Sequence, residues 1–302
     1  MIAPAAPQRV LLAGVALMLA VTVLSTAADA VMKAVAGRYE APQVLFIAAL
    51  AAVALTLAAN AGRPRSRVLA TGAPVAMALR ALTTVLAAVG FFYAFRLLPF
   101  AEVFLYIGAM PLIAAALSGL VLDEPVGARV WAVLAVGFTG LLCLYPAQGG
   151  GPVSGHAFAL LGSLSGTVSI VLSRRIGRTA THPLAQVFYP QALMALAMAA
   201  VLPWTARPVA WGDLGLIFGY AALVFAARWL TVVVLRQLPA WLALQLINLQ
   251  FVWMVLVGGL VFEETTRPLV FVGATLIAAA GLVLALGEMR DGPRGAPATP
   301  AE

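Results

Sequence analysis

Charge is absent from this chain over lengths that match one crossing of a bilayer. Residues 10–28, 41–62, 103–122, 184–206, 237–262 and 268–287 contain no Asp, Glu, Lys or Arg. A bilayer core of about 30 Å takes about 20 apolar residues in a helix, so each stretch reads as one span. Residues 130–173 are also uncharged but too long for one helix, and their middle, YPAQGGGPVSG, breaks them into two spans. Two further spans carry one arginine each, residues 74–95 with Arg80 and 213–235 with Arg228. The expectation is ten spans. The alternating segments of about ten residues that a membrane barrel needs are missing. Lipid offers open backbone no hydrogen-bond partners, so the expected fold is an all-α membrane bundle. The composition agrees, with 63% of residues hydrophobic and 10% charged; in a soluble domain about a quarter are charged.

The cations sort by face. With the N-terminus in the cytoplasm, Arg9, Arg63, Arg65, Arg67, Arg129, Arg174, Arg175, Arg178, Arg236, Arg290 and Arg294 lie inside. Lys33, Arg38, Arg96, Arg207 and Arg267 lie outside. That bias places both termini in the cytoplasm. It also accounts for the net charge of +7 as a consequence of orientation, so nucleic acid is not an expected partner; the lipid bilayer is. The first span follows only Arg9 and continues through Thr22, Ser25, Thr26 and Asp29, so it reads as a retained helix, not a cleaved leader. The single cysteine, Cys143, lies within a span and excludes a disulfide inside the chain.

The chain also repeats itself. GLVLDEPVGARVW, from Gly119, returns as GLVFEETTRPLVF, from Gly259, an offset of 140 residues. Arg96, Leu98 and Pro99 recur as Arg236, Leu238 and Pro239, and Leu24–Ser25 as Leu164–Ser165. Spans one to five therefore repeat as six to ten. An odd number of spans per unit makes the second unit enter the membrane from the opposite face. Inverted-topology repeats of this kind support alternating access in transporters. Duplication as a simple route to a large bundle is the plainer alternative.

Residues 80–144 carry a set of features together: Arg80 at the start of span three, the aromatic run Phe92–Tyr93–Ala94 before a short loop, Pro111 within span four, Glu124 closing it, and Gly137 and Gly140 in span five. In these features the chain resembles the EamA-type repeat of the drug/metabolite transporter superfamily. The second half departs from the pattern: Phe251 stands at the proline position and Tyr220 at the arginine position. The resemblance implies a first repeat at 10–145 and a second at 155–288, joined by an extracytoplasmic linker at 146–154. A cytoplasmic segment, 1–9, precedes them and a disordered cytoplasmic tail, 289–302, follows. It further implies a secondary exporter of small metabolites in a bacterial inner membrane. In length and aromatic content the chain is similar to the YddG-type amino acid exporters, which makes amino acids, neutral or aromatic, the expected substrates. The competing readings are a membrane-embedded enzyme acting on lipid and an exporter of some other metabolite or drug.

Candidate site residues are the polar groups that lipid would not tolerate. Thr22, Ser25, Thr26, Asp29 and Lys33 share one face of span one. The equivalent face of span six holds Gly162, Ser165, Gly166, Ser169 and Ser173. Such stripes line a cavity or let helices pack closely. Asp29 and Lys33, four apart, have the spacing of a pair. Gln245 and Asn248 in span nine read as substrate contacts or interhelical hydrogen bonds. Glu102 and Tyr106, near the outer end of span four, read as a gate or as a solvated helix start. Pro111, just after Gly108, removes a hydrogen bond to Ile107 and marks a kink and candidate hinge. Arg80 is expected to form a structural or gating ion pair with Asp123 or Glu124 at its own depth, a substrate contact being the alternative. Arg228 is the candidate for a substrate carboxylate, with Tyr220 and Trp229 beside it; snorkelling to the surface is its alternative.

The chain has one lysine and no G-x-x-x-x-G-K-[ST] motif, so no ATP site and no cofactor are expected. His156 and His182 have no metal-ligand spacing, and no catalytic constellation argues for an enzyme. In a Cys143→Ser background, a cysteine at Gly150 is expected to react with an impermeant thiol reagent from outside and one at Ser66 only from inside. The reverse pattern would invert the orientation.

Overall fold

A computed structural model describes residues 6–61, 68–98, 100–123, 126–142, 151–179, 181–236 and 240–261, with isolated positions at 64 and 238 and between 269 and 286. Glu124, Cys143, residues 146–150 of the linker, most of the tenth span and the 289–302 tail lie outside the described residues, as does the side chain of Glu102. The described elements are all helices: α1 (Ala6–Ala36), α2 (Ala41–Ala59), α3 (Pro74–Leu97), α4 (Phe100–Val121), α5 (Ala128–Leu142), α6 (Val153–Gly177), α7 (Pro183–Thr205), α8 (Trp211–Val234), α9 (Ala240–Ile247) and α10 (Gln250–Val261). Seven of these, α1–α4 and α6–α8, are long and apolar enough to cross a membrane. α5 and the α9–α10 pair are shorter apolar segments.

Proline punctuates the chain where the helices need it. α2, α3 and α7 carry Pro42, Pro74 and Pro183 in their first turns, where a missing N–H costs nothing. α3 stops at Leu97, ahead of the Leu98–Pro99 step that disfavours helix. α4 runs through Pro111 uninterrupted. The interruption falls in the ninth span, which the charge-free run had marked as one helix. There α9 ends at Ile247 and α10 restarts at Gln250. The turn between them closes with i→i+3 bonds, Leu249 N donating to Leu246 O at 3.1 Å and Phe251 N to Asn248 O at 3.0 Å. Asparagine competes with helix through its own side chain. Here that side chain reaches another helix, its Nδ2 donating to the Gly108 carbonyl of α4 at 3.4 Å.

The principal packing partners are α3 with α6, α1 with α8, and α2 with α7. A shift of 140 residues carries the first pairing onto the second and the third onto itself. α3 and α6 touch backbone to backbone at Gly90, where an added Cβ would lie 2.7 Å from Gly162 N and 2.8 Å from Phe158 O. Gly162 in turn lies under the Phe91 ring. This is the close-packing role of a small-residue face.

Of four apolar clusters among the described residues, two are large. One joins Met18, Ala114, Leu122, Leu134 and Leu242; the other joins Met32, Tyr39, Val44, Phe92, Met194 and Ile217. At the second cluster's end of the bundle the loops are tied by polar contacts. Asp213 accepts from Arg38 Nη1 and from Tyr39 OH, each at 2.7 Å. Gln43 Oε1 accepts from Arg207 N at 3.2 Å. Arg96 Nη1 lies 2.7 Å from Glu40 and holds that carboxyl below the usual carboxylate range. At the opposite end, Arg178 Nη1 donates to Leu122 O at 2.7 Å, and Tyr189 OH to Leu69 O at 2.8 Å.

The outer faces are apolar. Leu120, Val153 and Leu260 are exposed, and Trp204 and Trp211 stand 81% and 90% exposed at one rim. Lipid tails cover such a surface, and interfacial tryptophans mark its edge. Gly90→Ala forces the α3–α6 backbones apart and is expected to cost about 1–3 kcal/mol. Gly215→Ala, whose Cβ would meet nothing within 4 Å, should leave stability unchanged. Thermal melting of both variants in detergent checks the difference.

Candidate functional site

Between the two clusters lies a cavity of about 280 Å³, walled by α1, α3, α4, α6, α8, α9 and α10. Ser25, Ser169, Tyr220 and Arg228, all expected to face substrate, are on its wall. Arg80, expected in an ion pair, is there too. So are Asp29, Thr84, Gln250 and an aromatic group of Phe91, Phe92 and Phe95.

Local geometry fixes each group. On α3, Thr84 Oγ1 donates to the Arg80 carbonyl at 2.7 Å and meets Ser169 Oγ of α6 at 2.7 Å. That contact pins the α3 wall to the α6 wall beside the arginine. Arg80 is buried, its Nη1 donating to Gln186 O of α7, while its Nε has no partner. Arg228 has no hydrogen bond or ion pair among the described residues and faces into the cavity. Across the cavity, Asp29 Oδ2 accepts from Gln250 Nε2 at 2.6 Å. Among the described residues, the site thus holds two guanidinium groups with no carboxylate on either, and one carboxylate without a cation.

Several expected residues lie elsewhere. Thr22 is fully buried, donating to Leu19 O and accepting from Trp253 Nε1 at 3.0 Å. Thr26 donates to Thr22 O at 2.8 Å. The polar stripe of α1 is wider than the cavity: its Ser25–Asp29 edge faces inward, and its Thr22–Thr26 edge packs toward α10. Ser165 is buried off the cavity wall. Gln245 is buried against α5, where a Cβ on Gly137 would lie 3.0 Å from its Nε2. Asn248 takes the interhelical role, through Gly108. Trp229 is 42% exposed on the outside of the bundle, because the position after Arg228 turns about 100° around the helix. Tyr106 meets His156 Nδ1 at 3.2 Å.

The expected pairing of Arg80 with Asp123 does not form. Asp123 sits exposed in a left-handed turn at φ 54°, past the end of α4, while Arg80 points to α7. Glu124, and the side chain of Glu102, lie outside the described residues. Gly108 and Pro111 stay within α4, off the cavity wall, and their neighbours Ile107 and Met110 line it instead. The expected Asp29–Lys33 pairing gives way to Asp29–Gln250, which joins residues 221 positions apart and has no local signature.

One signal in the sequence does locate the wall. Eight pairs of lining residues stand 140 apart: Asp29 with Ser169, Arg80 with Tyr220, Thr84 with Val224, Ala87 with Ala227, Ala88 with Arg228, Phe91 with Thr231, Ile107 with Ile247, and Met110 with Gln250. The Asn248–Gly108 hydrogen bond also joins positions 140 apart.

Comparison with known proteins adds a family match over part of the chain. Residues 12–145 match the EamA-like transporter family. Among 29 matching chains of solved structures, one crystal structure superposes with a TM-score of 0.75 at 18% identity, covering 91% of this chain and 98% of the other. At that identity the likeness shows the shared fold. No curated protein matches the chain.

A bulky side chain at Ser25 fills the cavity from α1. Ser25→Trp is expected to fold but to lose most solute flux in proteoliposomes, with Trp229→Ala close to wild type. Normal flux through Ser25→Trp would mean that solute does not pass this cavity.

Proposed function

We propose, from the match of residues 12–145 to the EamA-like transporter family, that the whole chain is a secondary transporter exporting small metabolites, amino acids above all, by alternating access between two inverted five-span repeats. The observation that carries this reading is the pair of guanidinium groups, Arg80 and Arg228, on the wall of an intramembrane cavity, neither of them in ion-pair contact with a carboxylate among the described residues; the cavity's one carboxylate, Asp29, lies toward the other rim. An arginine at helix centre costs about 2.5–3.5 kcal/mol on insertion scales. A cavity that retains two implies an anionic ligand, and a planar carboxylate suits the guanidinium fork. The Phe91, Phe92 and Phe95 rings supply an apolar wall for a side chain.

The repeat reading rests on the eight lining pairs and on the equivalence of the α3–α6 and α1–α8 packings. A cavity built from equivalent positions of two halves lies on the axis that relates them. Two such halves can exchange conformations at similar energy, which is the requirement of alternating access. The sided distribution of Arg and Lys supports cytoplasmic termini in a bacterial inner membrane. Each carried substrate is a free small molecule. No ATP motif supports a powered pump.

Arg228→Gln is expected to weaken flux of amino acids through proteoliposomes by on the order of tenfold or more, while their decarboxylated amines lose much less. Equal losses, or none, would make Arg228 structural. Absence of flux for every solute under every gradient would end the transport reading.

A further inference from the structure

The cavity is two-fold in position but not in charge. Where the first half places Asp29, the second places Ser169; where the second places Arg228, the first places Ala88. The charges are also sorted along the bundle. Arg80 is close to the start of α3 and Arg228 to the end of α8, whereas Asp29 is close to the end of α1. The end of α1 and the start of α8 share one rim, tied by the Arg38–Asp213 pair. Asp29 therefore lies toward that rim and both arginines away from it. Tyr220 lies between, about 12 Å along α8 from Arg228 at 1.5 Å per residue.

Asp29 is undercompensated. Its bond from the Gln250 amide is a dipole, not a counter-charge, and no Lys or Arg among the described residues is within ion-pair distance. An ionised carboxylate inside a membrane protein needs a cation or gives way to a proton. Among the groups that face it, Arg80 of α3 and Arg228 of α8 stay protonated at any physiological pH, and the Tyr220 phenol of α8 stays neutral. Gln250 of α10 does not titrate, and Lys33 lies one turn further along α1 itself.

We propose that Asp29 is a cation-receiving subsite: it takes the ammonium group of the solute, and holds a proton when no cation is there. An amphoteric solute then binds in one orientation, carboxylate toward the arginines and ammonium toward Asp29. On arrival of the ammonium the carboxyl proton passes to cavity water; on departure a proton returns. The inference rests on the transport reading for its purpose, and on the cavity alone for its test.

Calorimetric titration of the purified protein in detergent decides it. The probes share a phenyl ring: phenethylamine, phenylalanine and 3-phenylpropanoate. Titrations in buffers of different ionisation enthalpy count protons. Wild type is expected to bind phenethylamine more weakly as pH falls, and to release protons on binding it but not on binding 3-phenylpropanoate. Asp29→Asn should abolish the release and the pH dependence, weaken phenethylamine by on the order of tenfold or more, and spare 3-phenylpropanoate. Asp29→Glu should restore proton release, which separates lost chemistry from lost folding. Three outcomes overturn the proposal: no binding of phenethylamine to wild type, binding without proton release, or equal loss of both probes in Asp29→Asn. If the expected binding is seen but proteoliposomes show no flux, the subsite stands and the transport reading fails.

Discussion

A charge facing hydrocarbon is costly, and this chain is organised around where its few charges are allowed to be. Those described occupy the two ends of the bundle or its internal cavity. At the ends they work as ties. Arg174 reaches the carbonyls of Leu235 and Leu238 at 2.8 and 2.6 Å, and Arg178 reaches that of Leu122. The Leu235 and Leu122 carbonyls close α8 and α4 and have no donor left within their own helices; Leu238 lies between α8 and α9. At the other rim, carboxylates of one loop take donors from another, as Asp213 does from Arg38 and Tyr39. Between the ends, packing is left to small residues. Gly90 against Gly162 brings α3 and α6 close enough that van der Waals contact, not apolar burial, holds them.

The same cost explains how much of the fold could be read from the sequence. Lipid demands long uncharged helices, so α1–α4 and α6–α8 could be anticipated as spans. The break at Asn248 could not: no proline or glycine stands there, and its stabilising partner, Gly108, is 140 residues away. Pro111, read as a kink and not a break, leaves α4 continuous. A helix in a bundle is broken by what its freed groups can bond to, and that is settled in three dimensions.

The site was legible in kind but not in detail. Polarity within a span says that a residue faces protein; it does not say whether it faces a neighbour or a cavity. Ser25 and Thr26 are adjacent, and only the first lines the cavity. The charge pattern assigns Arg80 a depth, but depth does not choose among partners around a ring of helices, and α7 supplies a carbonyl where α4 was expected to supply a carboxylate. The offset of 140 carries more than the local patterns do: eight pairs of residues lining the cavity are spaced by it. Applied to Arg228 the offset marks Ala88, and applied to Asp29 it marks Ser169, by residue number alone.

If the two halves exchange conformations, their backbone equivalence has an energetic consequence. Two states related by swapping the roles of like units differ little in intrinsic free energy, so small differential interactions set their populations. A ligand with equal affinity for both states would shift nothing. In a cavity symmetric in charge as well as position, a bound solute would meet nearly the same surroundings in each state. Here the positive and negative groups lie toward opposite ends of the cavity. A swap would expose the arginine end to one compartment and the Asp29 end to the other. A charged solute then has different interaction energies in the two states, and so does the empty site with its own unpaired charges. On the proposed mechanism, near-equal backbones would keep both states accessible, and the unequal charges would decide which one the solute favours.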